Sequence, residues 1–111
     1  MTGTYSFRAP LWRWPGESPW HFVTLPQDQS DEIDERTREV QRGFGSIRVE
    51  VTVGDTVWST SLFPSTGHGA YLLPVKKAVR VAECLVVDEP VAVRLRLVDL
   101  PAAGPGAETN G

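Results

Sequence analysis

The sequence predicts a mainly β domain of about six strands with two α-helices, and three observations predict it. Ile47–Val53 alternates without exception, placing Ile47, Val49, Val51 and Val53 on one face, the signature of a half-buried strand. Val91 to Leu97 alternates in the same way, with Val91, Val93, Leu95 and Leu97 set against Ala92, Arg94 and Arg96. Between and before these runs the period changes twice, at 28–42 and at 75–85, and each change marks a helix.

The first strand carries Tyr5 and Phe7 on one face and continues through Leu11-Trp12-Arg13-Trp14 to the turn dipeptide Pro15-Gly16. Alternation puts Trp12 and Trp14 on the same face, opposite Leu11 and Arg13. Trp20 to Leu25 is the second strand and stops at Pro26. The polar stretch from Asp28 to Arg42 has only Ile33, Thr37, Val40 and Phe44 as an inward stripe, so it is a surface helix. Its acidic residues come early and its arginines late, which suits the helix dipole. Asp28 or Ser30 offers a cap, and Glu32–Arg36 and Asp34–Arg38 are spaced for i, i+4 pairs.

Gly54-Asp55 reads as a two-residue hairpin turn with φ > 0 at its first position. That turn fixes the register: Val53 faces Thr56, Val51 faces Trp58, Val49 faces Thr60 and Ile47 faces Leu62. Trp58, Thr60 and Leu62 then point inward, and Ser59 and Ser61 outward. Pro64 and Ser65 to Gly69 are expected to break the strand into a loop. Tyr71 to Leu73 is a short strand, and Pro74 suits the first turn of the second helix. Val75, Ala78, Val79, Ala82 and Leu85 form its apolar stripe, with Lys76, Lys77, Arg80 and Glu83 on the other side.

At 111 residues the chain fits one domain, expected over 1–100, with a Gly-, Ala- and Pro-rich tail at 101–111 expected to be disordered. No run approaches the roughly 18 apolar residues of a membrane span, no signal peptide is recognised, and the expected address is cytoplasmic. A single cysteine allows no internal disulfide and gives no metal-ligand set, and no cofactor motif is recognised, so neither a metal nor another cofactor is expected.

Several segments together carry a resemblance: YSFRAPLWRWPG, WHFVTLP, GFGSIRVEVTVG, WSTSLFP and GAYLLPVKKAVRVAE, spread over about residues 4 to 98. They resemble the bacterial and archaeal family catalogued as domain of unknown function 1905. The resemblance implies a small closed or partly open β-barrel with helices covering its openings. It implies no activity. Members of that family usually have a glycine ending the second helix and Gly-Asp in the turn before the last strand. Here Cys84 stands at the first place and Val87-Asp88-Glu89-Pro90 at the second, so the easy left-handed positions are missing.

For chemistry, His21 reads as a structural or surface residue. His68, between glycines, has the loop setting of a general acid–base group but no orienting carboxylate nearby in sequence. Ser59, Thr60 and Ser61 lack a nucleophile-elbow context, and Cys84 reads as a small buried residue. The four tryptophans Trp12, Trp14, Trp20 and Trp58 read as filling a barrel interior, with an aromatic ligand wall as the alternative. Lys76 and Lys77 oppose the dipole of a helix start, which a bound anion would relieve, and Arg80 would complete a basic cup; solvated lysines are the simpler account.

The expectation that results is a binding module for a small anionic ligand or a protein partner. No catalytic residue is assigned. Its site is the opening bounded by Trp58, Thr60, Tyr71 and the 75–85 helix, with His68, Lys76, Lys77 and Arg80. One alternative is a small enzyme using His68 in a cleft at the barrel mouth. The other is a single-strand nucleic-acid binder using Arg48, Arg94 and Arg96, against which the net charge of −3 argues. No membrane partner is expected.

Overall fold

A computed structural model describes residues 3–17, 19–37, 47–65 and 69–98. Six strands form a closed barrel in the order β1-β2-β5-β4-β3-β6: β1 (Thr4–Arg13), β2 (His21–Thr24), β3 (Ile47–Val53), β4 (Thr56–Ser65), β5 (Ala70–Pro74) and β6 (Pro90–Leu97). Every pairing is antiparallel. Two helices accompany them, α1 (Gln27–Thr37) and α2 (Lys77–Ala82).

The β3–β4 register is the one the turn dictates, from Val53 opposite Thr56 to Ile47 opposite Leu62. Gly54 takes φ 58°, so the first turn position is the one that needs a left-handed residue. β1 changes partner along its length. Residues up to Pro10 pair with β6, and Leu11–Arg13 pair with β2. Pro10 thus falls at a strand-exchange point, where a missing donor is tolerated.

The core is built from the inward parity of each strand: Tyr5, Leu11, Val23, Val49, Val51, Trp58, Leu62, Tyr71, Leu73, Val93 and Leu95 among others. Each helix adds a plug at one end. Ile33 of α1 and Val79 of α2 are both fully buried members of the core. α1 lies at the Gly69 end, where Gln27 Nε2 donates to the Gly69 carbonyl at 2.7 Å. α2 lies at the hairpin end, where Glu83 Oε2 accepts from Thr56 Oγ1 at 2.6 Å.

Several local expectations are corrected. Pro64 does not break β4, which continues to Ser65 with Pro64 opposite Tyr71. Among the described residues β3 pairing ends at Leu62, so Pro64 serves one neighbouring strand only and its absent N–H leaves no gap in a two-sided ladder. Pro74 closes β5 rather than opening α2, and α2 is limited to Lys77–Ala82. Of its expected stripe, Val75 and Val79 are buried, Leu85 is half-buried, and Ala78 and Ala82 are exposed. α1 begins at Gln27, so neither Asp28 nor Ser30 is its cap: the Ser30 N–H already donates to the Pro26 carbonyl at 2.9 Å. Glu32 and Arg36 do approach, at 4.0 Å. Arg38, Val40, Phe44 and the 101–111 tail lie outside the described residues.

The tryptophans divide unexpectedly. Only Trp58 joins the core. Trp12 is half-buried, and Trp14 and Trp20 are exposed on the outside of the barrel. The parity that sends Leu11 and Val23 inward turns Trp12 and Phe22 outward.

Candidate functional site

The barrel wall is incomplete in one place. β4 pairs with β5 only through Phe63–Ser65, opposite Ala70–Leu72. Beyond that point Leu73 and Pro74 pair with β2 alone. The Trp58–Ser61 part of β4 and the end of β5 therefore diverge, and a cleft of about 480 Å³ opens between them. Trp58, Ser59, Thr60, Ser61 and Phe63 form its β4 wall; Pro74, Val75, Lys76, Lys77 and Arg80 form the other; Pro19, Trp20 and His21 close the end.

The facing wall is held by backbone. The Val75 N–H donates to the His21 carbonyl at 2.9 Å, fixing the exit of β5 beside the start of β2. His21 Nδ1 lies 2.8 Å from the Pro19 carbonyl, an acceptor only, so Nδ1 carries the proton. Nε2 then presents a lone pair, and Arg80 Nη1 approaches it at 3.5 Å. Arg80 Nε donates to the Val75 carbonyl at 3.3 Å. The guanidinium is thus half-buried and oriented by a backbone carbonyl and an imidazole, and no ion pair to a carboxylate is formed among the described residues. Lys76 and Lys77 stand exposed at the rim. Among the described residues, no Asp or Glu lines the cleft.

Of the residues singled out from sequence, Trp58, Thr60, Lys76, Lys77 and Arg80 converge here. Tyr71 does not. Its side chain belongs to the other end of the barrel, where its hydroxyl donates to Asp34 Oδ1 at 3.0 Å and its N–H donates to Ser30 Oγ at 3.1 Å. That end has a separate recess of about 240 Å³, lined by Asp31, Asp34 and Tyr71 among others. β5 is the cause: Tyr71 and Pro74 are near in sequence, but the strand carries them toward opposite ends of the barrel. His68 lies outside the described residues. Cys84 is exposed rather than buried.

Sequence reasoning missed His21 and Phe63 as site residues and raised Trp20 only as an alternative ligand wall. A signal existed for His21. It shares strand parity with Val23, which is core, so it sits on the inward face at the rim of the barrel.

The outer aromatics form a ledge next to the cleft. Trp20 stacks on Phe22 with centroids 6.0 Å apart and planes 10° apart. Trp12 and Trp14 meet Phe22 at 5.2 and 5.8 Å. The Trp12 indole Nε1–H donates to Thr24 Oγ1 at 2.8 Å. A second recess, about 440 Å³, is lined by Trp14, Trp20, Phe22, Phe63, Pro64 and Leu72. Trp20 and Phe63 belong to both recesses.

The arginines considered for nucleic acid sit on β3 and β6, whereas the stacked outer rings centre on Phe22 of β2. Arg96 Nη2 there approaches Glu50 Oε1 at 3.4 Å. Among the described residues, no group of three His, Cys, Asp or Glu side chains is arranged to hold a metal ion. No helix among them is long and apolar enough to cross a membrane.

The fold and cleft define a small six-stranded antiparallel β-barrel whose wall opens onto a cationic recess. Residues 7–95, which run from β1 into β6, match the family model described as Domain of unknown function (DUF1905), and the chain belongs to that family. No curated protein matches it.

Proposed function

We propose that the protein is a binding module that holds a small anionic ligand in the cleft between β4 and the end of β5. One observation carries this reading. Lys76, Lys77, Arg80 and His21 meet the β4 residues Ser59, Thr60 and Ser61 in a recess whose lining, among the described residues, holds no carboxylate. The whole chain has 14 acidic and 11 basic residues, so this recess reverses the overall balance. A concave, one-sign site focuses its field and raises the local concentration of the opposite charge.

The side chains, and not the start of α2, supply the attraction. α2 is only six residues long, and Lys76 makes no side-chain cap bond. Arg80 is the principal candidate for direct contact, because a planar guanidinium engages phosphate or carboxylate with two parallel N–H donors. The cleft volume falls in the range of small-molecule sites. Support for binding over catalysis comes from His21, whose ring is oriented by a backbone carbonyl and, among the described residues, meets no carboxylate within the cleft.

Titration with inorganic phosphate at constant ionic strength tests the proposal. Amide NMR shifts are expected to localise at Ser59–Ser61 and Val75–Arg80, and to disappear in Arg80→Gln and in Lys76→Glu/Lys77→Glu. Shifts that are absent or scattered at millimolar phosphate overturn it.

A further inference from the structure

We infer that the ligand of the cleft carries a planar aromatic group as well as its anionic group, and that the ring lies on the ledge of Trp20 and Phe63. The inference rests on the anion-binding reading above and extends it to a ligand class: an aryl or nucleotide-type phosphate or carboxylate.

Trp14, Trp20, Phe22 and Trp12 pack on one another, outside the core. After that packing Trp20 is still 56 % exposed and Trp14 44 %, and Phe63 in the same recess is 42 % exposed. Exposed apolar side chains scattered singly are ordinary, but these three line one recess together. Each offers a ring face or edge to a partner of similar shape. The position of this recess selects the partner. It adjoins the cationic cleft across a ridge formed by Trp20 and Phe63, which line both. A ligand with an anionic end at Arg80 meets these two rings next. Its remaining part is therefore apolar or aromatic, and flat enough to lie against indole and phenyl.

Charge complementarity favours a small ligand over a docked protein. The charged groups at the junction are all basic, and they converge on a recess of small-molecule size rather than spreading along the ledge. Stacking on an exposed ring discriminates weakly among bases and strongly against their absence. The ledge therefore adds affinity for any planar ring joined to an anion.

Four probes separate the parts: inorganic phosphate, adenosine, adenosine monophosphate and phenyl phosphate, each followed by amide NMR and calorimetry on the unmodified chain. The monophosphate is expected to bind at least about tenfold more tightly than phosphate. Trp20→Ala, at an exposed position, is expected to bring it down toward the phosphate level, a loss at least about tenfold larger than any that phosphate itself suffers. Phenyl phosphate matching the monophosphate supports a general aryl anion; a gain confined to the monophosphate supports a nucleotide. Equal affinity for phosphate and both ring-bearing phosphates overturns the inference but leaves the anion site standing. So does an equal loss of phosphate and monophosphate in Trp20→Ala. If neither moves the amides of Ser59–Ser61 and Val75–Arg80, the anion reading itself fails, and the inference with it. Adenosine binding as tightly as its monophosphate overturns the bipartite ligand. A concentration-dependent dimer in sedimentation that Trp20→Ala dissolves makes the ledge a contact between copies, and overturns it as well.

Discussion

Cys84 shows how a single residue absorbs a rule that its side chain resists. It follows the C-cap Glu83 and takes φ 54°. Its N–H donates to the Val81 carbonyl at 3.3 Å, and the Leu85 N–H donates to the Arg80 carbonyl at 2.9 Å. This bond pair is the Schellman ending, which places its left-handed residue where Cys84 stands and prefers glycine there. Asp88 does the same in the next turn. It takes φ 75° as third residue of a turn closed by the Glu89 N–H on the Val86 carbonyl at 3.1 Å, the position that requires φ > 0 in a type II turn. The two glycines expected from the family resemblance are gone, and their backbone conformations are retained. Aspartate tolerates this region better than cysteine does. Cys84→Gly is therefore expected to stabilise the protein by about 1 kcal/mol in denaturant unfolding. A loss of stability would show that Cys84 makes contacts outweighing the strain. Tyr5 adds a pH dependence. Burial, the leading cause, raises its phenol above the ordinary 10.0, with Arg36 partly opposing and Glu32 adding to the rise. The folded chain then keeps a proton that the unfolded chain releases. Stability is full below pH 10 and falls as pH climbs past it, through the raised value. Tyr5→Phe is expected to flatten this alkaline limb in thermal scans.

The β3–β4 hairpin was legible because two independent signals agree: unbroken alternation from Ile47 to Val53, and a two-residue turn at Gly54-Asp55. Trp58→Ala is expected to cost roughly 3–5 kcal/mol, since the ring is buried opposite Val51. A value below about 1 kcal/mol would deny that packing. The hairpin also depends on a distant helix end. Glu83 accepts from the Asp55 N–H at 3.3 Å, and its carboxylate occupies the space that a Cβ on Gly54 would take. Gly54→Ala therefore meets both an unfavourable φ and a carboxylate. In a double-mutant cycle, Gly54→Ala with Glu83→Ala is expected to cost less than the sum of the single changes, by about 0.5–3 kcal/mol. Additivity would mean the turn and α2 are uncoupled. The aromatic strands were half legible. Alternation shows that Trp12 and Trp14 share a face, but not whether that face is inside. Leu11 and Val23 decide it, and the choice depends on strands β6 and β5, distant in the chain. The cleft was partly legible for a similar reason. The run from Lys76 to Arg80 is local, but its meeting with His21 and β4 follows from where β4 and β5 part, which no local period records.

For the whole molecule, barrel closure depends on its longest-range pairing. β1 and β6 are matched from Thr4–Arg96 to Pro10–Pro90, and the Leu97 N–H donates to the Gly3 carbonyl at 2.9 Å. Such contacts are costly to form first, because nearly the entire chain must be looped. Substitutions at the β1–β6 seam, such as Val93→Ala, are expected to speed unfolding more than they slow refolding in a chevron experiment. A dominant effect on refolding would place the seam in the folding nucleus. The same adjacency of residues 3 and 97 has a topological consequence. The order of elements along the gene is not needed to hold the barrel, since its two outermost strands already lie side by side. A short Gly/Ser linker joining them, with a new opening cut at the exposed Pro15-Gly16 turn, is expected to give a permuted chain that keeps the barrel and its cleft. By the same reasoning, grafting residues 3–97 into a surface loop of a host protein is expected to leave both folds intact, as thermal scans of the fusion would show.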